Sequence, residues 1–390
     1  MNRAQDNGEG SRGSGRIEVI PRALSSAPRL FIRTVLIRDA AFLAVTLLSC
    51  AVAAVVATFQ YSVYTSFVRA SAVVPRVLGG DFWVTAASVE CFDFPDPVSE
   101  DYAAALARYV PEASFRRVVF GFATWRSPTG RRGNVAVVGV DGTGLPDSGF
   151  AVDQSDMARL DLGGSAPDRY REASISDTTV HLARTVDTMP TFLGAPYVVV
   201  PFERGRELLR MDPSSTSFLI GSFKGQPPDL ALVRETAAKK FPEVTLLASE
   251  DFQASSSRYW QNKTGAGMAI LLAALLAGLL MAILLANGVL RFIQRYHQDF
   301  VSLLGHGADQ RDITLIVAGI ASLIATVTMV SALVVTPVMI VAFRGLLPWT
   351  TFNMVDALVP LAAVVVSLAV ALIAARRSIT AFGPEAVFRS

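Results

Sequence analysis
Charge is scarce in this 390-residue chain: Asp, Glu, Lys and Arg make up only 17% of it, where soluble domains carry about a quarter. With 52% hydrophobic residues, that deficit points to lipid contact. The net charge of +2 provides no basic field for nucleic acid, so none is expected as a partner. Cysteine is nearly absent. Cys50 lies inside an apolar run and Cys91 outside it, which excludes a disulfide framework. The three histidines, His181, His297 and His306, are too scattered for a metal cluster. The chain has no G-x-x-x-x-G-K-[ST], H-E-x-x-H, C-x-x-C or G-x-S-x-G. Phosphate-loop nucleotide binding, zinc peptidase, dithiol redox and serine hydrolase chemistry are therefore not expected by those routes. No enzymatic activity and no cofactor are expected.

What the chain does have is long uncharged runs. Four stretches hold no acidic or basic residue: between Asp39 and Arg69, Lys263 and Arg291, Asp312 and Arg344, and Asp356 and Arg376. A spanning helix needs about 20 apolar residues, because the hydrocarbon core is about 30 Å thick and a helix rises about 1.5 Å per residue. The first run is too long for a signal-peptide core and reads as a retained anchor. Orientation follows the arginines. Arg16, Arg22, Arg29, Arg33 and Arg38 precede the first run, Arg291, Arg295 and Arg311 lie between the second and third, and Arg376, Arg377 and Arg389 follow the fourth. The loop between the third and fourth runs has only Arg344. Both termini and the 291–312 loop are thus expected in the cytoplasm.

The expected fold is an integral membrane α-helical protein with four transmembrane helices, arranged 1+3, and an α+β extracytoplasmic domain inserted between helices one and two. The segments are a disordered tail (1–15), an amphipathic interfacial helix (16–38), span one (39–66), the external domain (67–263), span two (264–291), a cytoplasmic loop (292–312), span three (313–343), a short external loop (344–355), span four (356–376) and a tail (377–390). In the interfacial segment Phe31 shares the apolar side with Ile20, Leu24 and Val35, while Arg22, Arg29 and Arg33 face the opposite way toward headgroups. Pro28 would interrupt a continuous helix there, and Ser26 is a candidate cap for one that begins beside it. In the external domain, Phe82–Ala86, Ser114–Trp125, Asn134–Val140, Ala195–Val200 and Ser217–Ser222 read as strands, with a turn at 128–133. Ser99–Tyr109, Phe202–Arg210 and Pro228–Phe241 read as helices. The pattern leaves open whether the sheet is mixed or antiparallel. Trp260 and Trp349 read as interfacial anchors.

The 291–312 loop has apolar residues at helical spacing, Phe292, Tyr296, Phe300 and Leu303, and Arg295 stands four residues before Asp299, a spacing that allows an ion pair. Gly305-His306-Gly307 is a helix stop, and Asp309 a cap for the helix of the third run. A short helix presented between two spans is a docking surface for a cytosolic partner. No run carries a midplane charge, as an ion-coupled carrier usually does, so energy for transport would come from elsewhere.

The layout of one span, a large external domain and three spans resembles FtsX/MacB/LolC-type ABC permeases. Tyr296–Gly305 looks like that family's coupling-helix region, and Pro384-Glu-Ala-Val-Phe-Arg389 resembles its C-terminal ending with two residues exchanged. Glu250–Gly267 and Gly80–Val84 look like the DevC-like branch. The resemblance implies a homodimeric permease in the bacterial inner membrane, two copies of a separate ATPase subunit, and a periplasmic adaptor with an outer-membrane channel. It implies ATPase docking through Tyr296, Phe300, Leu303, Leu304, Gly305, His306 and Gly307. MacB itself carries a fused ATPase domain, which this chain lacks, and His306 stands where a small or hydrophobic residue is usual. An FtsX-like signalling permease that activates a cell-wall hydrolase, and a LolC/LolE-like lipoprotein-extraction subunit, are the alternatives.

Overall fold
The computed structural model describes residues 27–163, 172–192, 194–225 and 229–380. The expected tails, Arg22 and the candidate cap Ser26 lie outside them. Among the described residues three helices are long and apolar enough to cross a membrane: α2 (Ala40–Ala70), α8 (Ala266–Arg295) and α10 (Gln310–Ala342). The fourth expected span falls on α11 (Met354–Thr380), where the apolar stretch among the described residues is the shorter Val364–Ile373.

The chain divides into two compact units. The first comprises Met1–Ala51, Met281–Thr328 and Ala363–Ser390. Its core joins Val35 and Leu43 with Val289, Phe292, Ile293, Phe300, Ile313, Ile320 and Ala371. The second comprises Val52–Leu280 and Met329–Ala362 and holds the α+β domain.

That domain is built on a nine-stranded mixed sheet, ordered β11-β1-β10-β3-β4-β8-β5-β7-β6. The strands are β1 (Phe82–Ala86), β3 (Ala113–Arg126), β4 (Arg132–Val140), β5 (Gly149–Asp153), β6 (Glu172–Ile175), β7 (Thr178–Val186), β8 (Tyr197–Pro201), β10 (Phe218–Phe223) and β11 (Val244–Ala248); the short β2 (Val98–Ser99) and β9 (Ser215–Thr216) pair separately. Helices α3 (Val73–Leu78), α4 (Asp101–Ala107) and α7 (Ser249–Arg258) belong to the same domain. Strand pairs β4–β8 and β5–β7 are parallel; the others are antiparallel. Because β6 also pairs with the far end of β3, Trp125 opposite Ile175, six strands close on themselves while β10, β1 and β11 extend from the other end of β3. Most of β4 and of β1 is buried on both faces, so these strands read as continuous apolar runs rather than alternating ones. In β4, Val135 and Val137 enter one core while Ala136 and Val138 enter the other. In β1, Trp83 and its neighbours Phe82 and Val84 likewise divide between two cores.

Helix α5 (Phe202–Leu209) lies so close to β4 that a methyl group on Gly205 would come 2.6 Å from the Gly139 backbone. Arg117 ties this corner together, reaching Asp141 at 3.0 Å, Glu100 at 3.0 Å and Glu203 at 3.2 Å. Toward the spans, Thr65 and Arg69 of α2 meet Asp356, which also accepts from the Asn353 amide at 2.9 Å and so caps α11. The two expected anchors pack against the domain's own aromatic rings: Trp349 meets Phe67 and Phe192, and Trp260 meets Phe94 and Phe192.

Candidate functional site
The cytoplasmic loop of the sequence reading is a short helix, α9 (His297–Gly305), and Tyr296 (φ −100°, ψ 17°) breaks the chain between it and α8. That break removes the expected ion pair. Arg295 closes a helix that Asp299 no longer continues, and its guanidinium forks instead onto Asp39, between α1 (Ala27–Arg38) and α2. The two bonds are 3.0 Å (Nε to Oδ2) and 2.7 Å (Nη2 to Oδ1). The Tyr296 hydroxyl donates to the same Oδ2, and the Arg295 guanidinium lies 5.5 Å from the Phe42 ring centroid. The Arg295 hydrogen bonds, and after them that of Tyr296, hold the Asp39 carboxyl at about 2. Burial, and then the carboxylate it serves, push the Tyr296 phenol up to about 12. The result is a two-donor clamp on one carboxylate, charged at every physiological pH.

Behind the clamp, α9 faces inward with Phe300, fully buried against Phe31 at 5.6 Å and Phe292 at 6.1 Å between ring centroids. Phe31 also meets Tyr296 edge-on at 5.7 Å. Phe31 and Val35 of α1, expected to lie against lipid, thus pack on protein: α8 and α9 present aromatic rings that cover them more closely than mobile lipid would. Arg33 is exposed, and Arg29 falls on α1.

The stop after α9 uses the second glycine. Gly307 takes φ +94°, its amide donates to the Leu304 carbonyl at 3.1 Å, and the Ala308 amide donates to the Leu303 carbonyl at 3.0 Å. That is the paired closure of a helix by a left-handed residue. The Asp312 carboxylate then accepts from the Asp309 amide at 3.1 Å and starts α10.

Of the residues proposed for docking, Tyr296 and Phe300 are buried, Leu303 and Leu304 are half-buried against the core, and Gly305, His306 and Gly307 are exposed. Gln298, Asp299 and Ser302 complete the exposed face. An amphipathic helix turns its apolar stripe to its own protein, so the partner-facing residues are the polar ones between. Helical spacing could have marked that face, but nothing local marked Asp39, 256 residues from Arg295. Among the described residues, no group of three or more His, Cys, Asp or Glu side chains could hold a metal.

No family profile matches the chain, and no curated protein matches it in sequence. Solved structures do match part of it. The periplasmic region of MacB from Actinobacillus actinomycetemcomitans aligns over 45% of this chain and 92% of its own, at 6% identity and a TM-score of 0.34. The extracellular domain of the noncanonic ABC-type transporter YknZ from Gram-positive bacteria aligns over 43% of this chain and 98% of its own, at 9% identity and a TM-score of 0.31. Scores this low carry no weight toward activity.

Proposed function
We propose that this chain is the permease subunit of an ABC transporter of the FtsX/MacB-like kind, in which a separate ATPase docks on the exposed face of α9 and its movement is passed to the extracytoplasmic domain. One observation carries the reading. The face formed by Gln298, Asp299, Ser302, Gly305 and His306 is open, while the opposite side is fixed by Phe300 in the core and by the Tyr296–Asp39–Arg295 clamp. A push on α9 is therefore delivered to the junctions of α1 with α2 and of α8 with α9, not absorbed by a loose loop. Helices α2 and α8 flank the external domain in sequence, so displacement of their ends is transmitted to it as lever motion.

In this reading α11 is the fourth span, the termini and α9 face the cytoplasm, and the domain lies outside a bacterial inner membrane. The permease is a homodimer with two ATPase subunits and no catalysis of its own. As in the DevC-like branch, a periplasmic adaptor and an outer-membrane channel would carry substrate outward.

The test is co-expression with the ABC ATPases of the source genome. One should co-purify and hydrolyse ATP with this chain. The double variant Asp299→Lys/His306→Glu, which alters only exposed side chains, should cut that co-purification by about tenfold, as expected for loss of an interface polar contact, without lowering the melting temperature. Unchanged co-purification and turnover would sink the docking assignment.

A further inference from the structure
Strands β3 and β4 meet in a tight turn on the external domain. The Ser127 amide donates to the Arg131 carbonyl at 2.8 Å, the Arg131 amide to Ser127 Oγ at 3.0 Å, and Gly130 takes φ +89°. The turn is thus fixed, and it holds Arg131 and Arg132 side by side and exposed. Beside it opens a cleft of about 300 Å³ lined by Trp125, Ser127, Arg131, Arg132 and Arg159. The indole N–H of Trp125, a residue only 4% exposed, has no acceptor. Nearby acids are engaged: Asp161 accepts from the Ser127 and Thr129 hydroxyls, and Asp177 lies 3.9 Å from Arg126. Among the described residues Arg131 and Arg132 have no ion-pair partner. Hydroxyl donors leave the Asp161 carboxylate its charge, so among the described residues the cleft sets the guanidinium groups of Arg131, Arg132 and Arg159 against one adjacent carboxylate and keeps an excess of positive charge.

Its position is equally specific. The Arg159 guanidinium donates to the carbonyls of Gly345 and Leu346, both at 3.4 Å, in the segment that follows α10. There Val341, Phe343 and Leu346 are exposed, Leu346 by 71%. Apolar side chains exposed at the end of a span mark the hydrocarbon boundary, and the phosphate layer lies immediately beyond it.

We propose that the Trp125–Arg131–Arg132–Arg159 cleft binds the phosphate of an anionic phospholipid headgroup at the outer face of the membrane. Guanidinium groups match phosphate oxygens in paired hydrogen bonds, and the exposed Leu346 beside Arg159 gives the acyl chains a surface that free phosphate cannot use. The inference rests on α10 as a membrane span and is independent of any ATPase.

Full-length protein in detergent is titrated with phosphatidylglycerol or phosphatidylcholine, with inorganic phosphate as competitor, and bound lipid is read by native mass spectrometry. Phosphatidylglycerol should bind about tenfold more tightly than the zwitterionic lipid. The exposed double variant Arg131→Gln/Arg132→Gln should weaken it about tenfold, and Trp125→Phe, which removes the N–H together with part of the buried ring, by about threefold. Should Trp125→Phe fail to fold, the surface double variant decides alone. Equal binding of the two lipids, unchanged retention by the double variant, or complete displacement of phosphatidylglycerol by millimolar phosphate would each overturn the assignment, the last in favour of a free-phosphate site.

Discussion
Asp93 is the residue on which burial and charge conflict most directly. It is 3% exposed, one oxygen accepts from the Trp260 indole N–H at 2.8 Å, and the other has no partner. Burial pushes its carboxyl from the ordinary 3.8 up to about 6, against the opposing pull of the Trp260 indole and, after it, the Tyr197 hydroxyl. A raised carboxyl destabilises the fold only when ionised. The cost is absent below about pH 4, grows as the pH rises to 6, and reaches roughly 3 kcal/mol at neutral pH. Asp93→Asn keeps an acceptor for Trp260 and removes that charge. Denaturation of the full-length protein in detergent should show the parent losing stability from pH 4 to 7 and the variant remaining level and more stable at pH 7. Parallel profiles would show that Asp93 is not the source. Asp39 is the opposite case, a half-buried carboxylate held ionised by its partners, and it sets geometry more than stability.

At the scale of elements, α9 is defined by how it stops. Gly307 stands at φ +94° with open space around its Cα, so a side chain there meets no neighbour and the penalty is purely conformational. Gly307→Val should cost about 1–2 kcal/mol in thermal melts, whereas Gly305→Ala, at a helical position with equal room, should be neutral or slightly stabilising. Equal costs at the two glycines would contradict the closure described. Strong periodicity made several elements legible: β1, β3, β4, β8, β10, α5 and α6 (Leu230–Lys240) lie where the sequence pattern puts them. Strands β5, β6, β7 and β11 escaped notice. β7, Thr178–Val186, leaves most of its residues at least partly exposed and has one fully buried valine, so its apolar signal is thin. It pairs because β5 and β6 lie on either side of it.

For the molecule as a whole, the sidedness of the chain decides the function. Phosphatase fusions after Thr129 and after Thr350 should be active outside the cytoplasmic membrane, and fusions after Ser302 and at the C-terminus inactive. An active C-terminal fusion would remove α11 as a span. Activity on both sides of α8 would remove the docking reading with it.

The amino-acid sequence alone determined that the chain meets lipid, where its long apolar helices run, and that a folded α+β insert separates the first from the rest. These properties sum over neighbouring residues, because the transfer of a helix to hydrocarbon depends on its own composition. Only the tertiary structure decided that six strands close through β3 and β6, that Phe31 packs on Phe300 rather than on lipid, and that Arg295 grips Asp39 instead of Asp299. Those choices depend on which distant groups arrive within a few ångströms of one another, and no local window of sequence contains both partners.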